Sequence, residues 1–508
     1  MNYLIGIDLG TSGTKTVLFD ENGAAVNSAT VEYPMYQPQN GWAEQDPADW
    51  WNACVTTLRR IISGSGVDPA DICGVGLSGQ MHGLVMLDEK GQVLRNSILW
   101  CDGRTSEECA EITWKVGASR LIEITANPAL TGFTAGKILW VRRHEPEAYA
   151  RCRQILLPKD YLRYKLTGEY GAEVSDASGM NLLDVSGRRW SDEVLHNLDI
   201  DSGLLPVLRE SCEIAGSVTA EASALTGLAA GTKVVSGAGD NAAAAIGTGV
   251  VETGKAFVTL GTSGVVFAHA DNVSIDPGGR VHTFCSAVPG AWTVMSCTLA
   301  AGMSLQWVRN NFFLEEMRAA TGLGKDAYDL MMDQAGLVPI GANRLIYLPY
   351  LMGERSPILD PNARGVLFGL SAIHTKYDIL RAVLEGVVYS QRQCLDVLRG
   401  MGVSFSEISA TGGGGTSAFW RQMVADCLGI PVTTVRNREG PALGAAILAG
   451  VGVGMYPSVP EACRGIIKTN APQFPDQESS DAYKPYYKLF CDLYPQLKES
   501  FRDLVKLS

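Results

Sequence analysis

A short turn, Gly-Thr-Ser-Gly, occurs twice in this chain, at 10–13 and again at 261–264, each time after a leucine and between runs of aliphatic and β-branched residues. Tyr3 to Asp20 therefore reads as strand, tight turn, strand, and Ala256 to Ala270 repeats the device. Two copies of so unusual a turn predict two halves of similar topology. Glycine lets the backbone bend sharply enough for consecutive N–H groups to face one anion, so each turn is also a candidate phosphate cradle. A single copy would read as well as an ordinary hairpin. Two copies on facing domains could hold one polyphosphate from both sides. The halves differ at one point: Asp8 stands beside the first turn, Thr259 beside the second. Only the first half thus carries a carboxylate there, as expected if a single Mg2+ is held at Asp8 largely through water.

The 508 residues allow two large domains or about three of average size. Asn22-Gly23 is a hairpin turn signal ahead of Ala24 to Val31. Asp46-Pro47 opens a helix carrying Trp50 and Trp51, with the acid as N-cap and the proline at the first helical position. Ile72 to Ser78 reads as a short strand that runs into Gln80-Met81-His82-Gly83. Later, Tyr377 to Gly400 and Ser417 to Leu428 have helical periodicity, and Ala442 to Gly450 is a small-residue helix suited to close packing. Strands followed by helices in each half predict an α/β fold class, two domains with a cleft between them. The Gly/Ala-rich stretch Ser236 to Gly254 takes the boundary, giving domains 1–246 and 247–508.

Composition narrows the partners. A formal net charge of -12 gives a field that repels phosphate polymers and anionic lipid, so no nucleic acid and no membrane surface is expected as a general partner. The twelve cysteines include no CxxC pair and no Cys/His cluster at zinc spacing, and they read as buried small residues in a reducing compartment. Met1 runs straight into YLIGID without a basic leader, and no apolar run reaches the ~20 residues that span a bilayer. A cytoplasmic address is expected.

Four further motifs could carry chemistry. Gly239-Asp240-Asn241 precedes the small residues Ala242 to Ala245, which would set an acid at the floor of a cleft beside a helix start; a plain helix N-cap is the commoner fate of such an Asp. Met81 and His82 follow a strand end, where α/β sheets present side chains to ligands, and an imidazole there can donate to or accept from a sugar hydroxyl. Trp100, Asp102 and Arg104 in LWCDGR offer a stacking face and polar handles, a mixture that also suits a well-packed loop. Gly412, Gly413, Gly414 and Gly415 lead into a helix and leave room for a flat ligand such as adenine or ribose against the backbone. No Ser/His/Asp set and no HExxH motif is present, so hydrolase and metalloprotease chemistry has no support.

Together these residues resemble the FGGY carbohydrate kinases of the actin-like ATPase superfamily, from IGIDLGTSGTK at Ile5 to GPALGAAILA at Gly440. Two long internal stretches carry much of the likeness, Gly132 to His144 (GFTAGKILWVRRH) and Gly365 to Glu385. The resemblance implies two ribonuclease-H-like domains closing over a sugar and Mg2+-ATP, with 1–246 binding the sugar and 247–508 the nucleotide. By position it makes Asp240 the base that takes the proton from the attacking hydroxyl and Asp8 the residue that organises the metal. It places Met81 and His82 on the sugar, with Trp100, Asp102 and Asn241 as weaker candidates. It sets Thr11, Ser12, Lys15, Gly261 and Thr262 on the phosphates, and Gly412 to Gly415 on the nucleoside.

Within the family, motifs such as WAEQDPADWW, GQMHG and GDNAAAAIGTG are most like those of kinases for a pentulose. Cys101 departs from that pattern by standing where such members have Asn, and a thiol is a much weaker hydrogen-bonding partner. Kinases for ribulose, fuculose, gluconate or glycerol remain open as alternatives, as does an actin-like ATPase that is not a kinase. A sugar-responsive repressor is disfavoured by the acidic chain and by the absence of a DNA-binding segment ahead of Tyr3. The residues leave the oligomeric state open, and the family resemblance admits a homodimer, since its members often form dimers.

Overall fold

In a computed structural model the chain is described over residues 1–437 and 439–507, and it divides into two compact units. The first comprises Met1–Glu252, His269–Thr293 and Asn437–Ile467; the second comprises Thr253–Ala268, Val294–Arg436 and the stretch from Lys468 onward.

The first unit is built on a seven-stranded sheet whose main order is Ile214–Ser217, Lys233–Val235, Ile72–Gly79, Tyr3–Leu9, Gly13–Asp20, Ala25–Glu32. Tyr3–Leu9 runs antiparallel to Gly13–Asp20 and parallel to Ile72–Gly79. A short strand, Ala238–Gly239, adds to the end of Ile72–Gly79. Because side chains alternate along a strand, Ile5, Ile7 and Leu9 enter one core with Trp50, Cys54, Leu58 and Ile61 of the Pro47–Ser65 helix. That helix starts as its sequence predicts: Asp46 accepts from the Ala48 amide at 2.9 Å, and Pro47 follows it.

The other face carries Leu4, Gly6 and then Asp8, and it is covered by the helix Gly440–Gly452. This helix lies almost on the sheet backbone. A Cβ on Gly6 would sit 1.8 Å from the Ala442 carbonyl oxygen, and one on Gly76 would sit 1.9 Å from that of Ala445. The same device joins it to the helix Asp240–Gly247, since Gly444 and Gly247 meet the carbonyls of Ala243 and Gly440 at 1.9 Å by the same measure. Glycine is required at these four places because backbone fills the space of a side chain.

The second unit repeats the strand device. Gly254–Leu260 pairs antiparallel with Gly264–Ala270 and parallel with Phe405–Thr411, the relation that Tyr3–Leu9 bears to its two neighbours. The similar topology expected from the doubled turn is therefore present. The long helix Lys376–Gly400 opens with a capping box, in which Thr375 and Asp378 satisfy one another's backbone N–H groups. Among the described residues no helix is long and apolar enough to cross a membrane.

Candidate active site

In the first unit the parallel strands bring two acids to one end of the sheet. Asp8 and Ala238 both lie in register with Ser78, and Leu9, Gly79 and Gly239 form the next row. Asp8 and Asp240 thus leave strands on either side of the same central strand, which places those strands about 10 Å apart. Strand carboxyl ends are where open α/β sheets present functional groups.

The Ser78 hydroxyl donates to Asp8 Oδ1 at 3.0 Å. Burial raises the Asp8 pKa, against the pull of Ser78 and Lys15. Asp240 is the first residue of its helix rather than the N-cap, a position held by Gly239. Its Oδ1 accepts from the Asn241 amide at 2.7 Å and from Asn241 Nδ2 at 3.0 Å, while Oδ2 accepts from no described residue. Asp240 keeps a solvent-accessible edge, but the protein packed around it and the charge of Asp8 push its pKa up to about 7.

The first Gly-Thr-Ser-Gly turn is closed by the Gly10 amide donating to the Gly13 carbonyl at 3.0 Å, and the Tyr33 hydroxyl donates to the Gly10 carbonyl. Ser12 is exposed. Thr11 is half-buried, and its hydroxyl accepts from the indole N–H of Trp100 at 3.0 Å, so the expected sugar-stacking residue is tied to the expected phosphate loop. Lys15, opposite Asp8 in the hairpin, reaches Glu439 at 2.5 Å.

Met81 and His82 stand just past the row of Gly79 and Gly239. A Cβ on Gly239 would lie 2.9 Å from Met81 Cγ, so the sulfur side chain packs against the strand that carries Asp240. His82 has φ 69° and stacks on Phe133 with ring centroids 4.7 Å apart. His82 Nδ1 lies 2.9 Å from the Gly179 carbonyl oxygen. A carbonyl can only accept, so Nδ1 carries the proton, and in the neutral ring Nε2 is an acceptor.

Asp102 is nearly fully buried, and both its oxygens are taken: Oδ2 accepts from the Ala43 amide at 2.6 Å and from Arg104 Nη2 at 2.7 Å, and Oδ1 from Arg104 Nε at 2.9 Å. Arg104 lies 3.7 Å over the Trp42 ring and also reaches Glu44 at 2.7 Å. Asp102 and Arg104 therefore brace the loop that displays Trp100 and the exposed Cys101.

In the second unit Gly261 lies directly against the glycine run, with Thr262 following it in the turn. A Cβ on Gly412, whose φ is 77°, would fall 2.9 Å from the Gly261 nitrogen. Gly413 has open space around it, whereas Gly414 and Gly415 pack on Trp420 and Ala410. The Gly302 and Ala301 amides donate to the carbonyls of Gly261 and Thr262 at 2.6 and 3.0 Å. Thr259, at the place that Asp8 holds in the first unit, shares a 2.8 Å hydrogen bond with Thr411.

Glu354 is buried, with a pKa pushed up to about 8 by burial, and it accepts from the Leu299 and Arg355 amides at 2.8 Å. Sequence reasoning did not single out Lys159, Asp160, Glu173, Ser175 or Asp176. Those five form a buried cluster in which Lys159 lies 2.8 Å from Asp160, 3.3 Å from Asp176 and 3.4 Å from Glu173. Ser175 Oγ accepts from the Gly239 amide at 3.2 Å and so links that cluster to the strand ahead of Asp240. The signal available for Lys159 and Asp160 was the charged run in LLPKDYLRYKLTGE, whereas Glu173, Ser175 and Asp176 lie beyond it.

Family models for the N-terminal and C-terminal domains of the FGGY family of carbohydrate kinases match residues 3–247 and 256–453. The chain belongs to that family, and its fold is the two-domain fold of FGGY kinases, related to the actin-like ATPases. Among individual relatives, it is 39% identical to a xylulose kinase of Bacillus subtilis over 98% of each chain. It is 40% identical to a xylulose kinase of Escherichia coli over 97% of this chain and 99% of the other. A solved structure described as a xyloylose kinase from Brucella ovis superposes with a TM-score of 0.90 at 38% identity, over 98% of this chain and 100% of that one.

Proposed function

We propose that the protein transfers the γ-phosphoryl group of ATP to a hydroxyl of D-xylulose, giving D-xylulose 5-phosphate and ADP. The observation that carries this proposal is the pair Asp8, on one strand flanking Ile72–Gly79, and Asp240, just past the strand on its other side, with one oxygen of Asp240 left without a donor among the described residues. In the proposed step the sugar hydroxyl gives its proton to Asp240 Oδ2 as its oxygen bonds to phosphorus. The bond from phosphorus to the ADP oxygen breaks. Phosphoryl transfer depends mostly on positioning and charge neutralisation, so a base of ordinary strength suffices.

Met81, His82 and Asn241 would hold the sugar, with Trp100 beside them and Asp102 acting through the loop it braces. Thr11, Ser12 and Lys15 would meet phosphate from the first unit. Gly261, Thr262 and Gly412 to Gly415 would meet the nucleotide from the second. Lys15 would have to exchange Glu439 for phosphate, a low barrier for a pair in which its side chain is 37% exposed.

Mg2+ fits the residues present. Asp8 offers a carboxylate whose partner among side-chain donors is Ser78, and among the described residues no group of three His, Cys, Asp or Glu could hold a metal by itself. A cation that keeps several waters and takes one or two carboxylates with substrate phosphates needs no more. When bound it would neutralise charge on the phosphate oxygens. The proposed setting is the cytoplasm, in keeping with twelve free cysteines, and family resemblance supports a homodimer.

The test is ADP release from Mg2+-ATP measured with xylulose, ribulose, fuculose, gluconate and glycerol under identical conditions. The highest kcat/KM with xylulose, and phosphate on its terminal hydroxyl, is expected. Preference for another member of the panel would overturn the named sugar, and ATP turnover indifferent to every sugar would overturn the kinase assignment.

A further inference from the structure

The stretch Gly132–Lys137 makes no contact that the phosphoryl transfer step uses, yet three of its residues, Phe133, Thr134 and Lys137, converge on His82. The Lys137 ammonium, fully buried, donates to the His82 carbonyl and to the Gly132 carbonyl, both at 2.7 Å. The Thr134 hydroxyl, also fully buried, donates to the same His82 carbonyl at 3.1 Å. The Phe133 ring lies under the imidazole. Gly132 passes so near the Trp100 carbonyl that a Cβ there would stand 2.9 Å from that oxygen.

The need for such bracing is local. His82 holds φ 69°, the left-handed region, which a residue with a Cβ enters only against a steric clash with the following carbonyl. It does so beside Gly83, whose missing side chain leaves room for Pro158, and opposite Gly179, where a Cβ would lie 2.2 Å from His82 Nδ1. A buried ammonium is expensive, and Lys137 repays that expense with two carbonyl bonds at the turn. Burial presses its pKa down to about 7.

We propose that Thr134 and Lys137 are positioning residues for sugar recognition, clamping the His82 carbonyl so that the imidazole is held in one orientation toward the substrate. This deepens the proposed contact between His82 and the sugar and rests on it. Neither residue touches the nucleotide in that scheme. The contact they share is the His82 carbonyl, so their loss is expected to act on sugar binding through His82.

A double-mutant cycle in the full-length protein tests it, with KM measured separately for xylulose and for ATP. Thr134→Val keeps the shape and removes one donor, and Lys137→Met removes the other. Each is expected to raise the sugar KM by about 5-fold or more while the ATP KM stays within about 2-fold, since the buried His82 carbonyl loses one of its two donors. In a His82→Ala background neither substitution should raise the sugar KM further. Thr134→Val carries the test if Lys137→Met does not fold. Unchanged sugar KM in both variants, or effects that add to those of His82→Ala, would overturn the clamp while leaving the His82 contact intact. A wild-type sugar KM in His82→Ala itself would remove that contact and the clamp with it.

Discussion

Asp8 and Asp240 flank one strand of the first unit's sheet, and negative charge on Asp8 adds to burial in pushing the Asp240 carboxyl up to about 7. A base so placed is half-protonated near neutrality, which makes the rate sensitive to pH in a narrow range. kcat is expected to rise as pH goes from about 6 to about 8 and then to level off, because only the carboxylate form can take the hydroxyl proton. A flat pH profile across that range would remove Asp240 from the proton transfer.

Replacing the same residue separates chemistry from binding. Asp240→Asn keeps the shape and the bonds to Asn241 while abolishing basicity, so kcat should fall by about 10²–10⁴-fold with the sugar KM changed by no more than a few-fold. Steady-state kinetics with purified protein decide this. An unchanged kcat would contradict the assignment.

The raised pKa also makes a statement about stability. A carboxyl titrating near 7 when folded and near 3.8 when unfolded holds a proton in the native state that the denatured state has released between those values. Stability contributed by this group therefore falls as pH rises through that window. Asp240→Asn should unfold at a higher temperature than wild type at pH 8, by about 1–3 °C, with the difference shrinking toward pH 4. Thermal scans at both pH values check the sign.

Gly6 and Gly413 offer an opposed pair of substitutions. Gly6→Ala drives a methyl group into the Ala442 carbonyl and should destabilise the protein by about 3 kcal/mol or more. Gly413→Ala meets nothing within 4 Å, so the melting temperature should hold, and the ATP KM should rise if nucleotide lies on that glycine. Denaturant unfolding of both variants, with ATP kinetics on the second, tests the two claims.

Asp102→Ala leaves Arg104 buried over Trp42 with Glu44 as its remaining carboxylate partner. Stability should fall by about 3 kcal/mol, since a buried charge stripped of one partner is costly. A loss confined to sugar KM, at wild-type stability, would instead make Asp102 a direct contact.

Much of the architecture was legible because it is written in local chemistry. The doubled Gly-Thr-Ser-Gly turn predicted the repeated hairpin, Asp46-Pro47 predicted its helix start, and Ser417 caps Ala418–Leu428 by accepting from the Trp420 amide at 3.2 Å. Asp8, Asp240 and His82 stood out in the sequence because acids and histidines among glycines and alanines are chemically conspicuous.

Other relations could not be read that way, because they join distant stretches through backbone atoms. Nothing in GPALGAAILAG states that Ala442 would lie on Gly6, a contact made by a carbonyl oxygen and an absent side chain. The proton position on His82 comes from the Gly179 carbonyl, and the occupation of Asp102 comes from Arg104 and the Ala43 amide. Residue types and their spacing thus determined which strands, turns and chemical groups the chain would have. Tertiary packing alone decided which groups are buried, which are already hydrogen-bonded and how far burial shifts their protons, because desolvation and neighbouring charge depend on what the rest of the chain places around each atom.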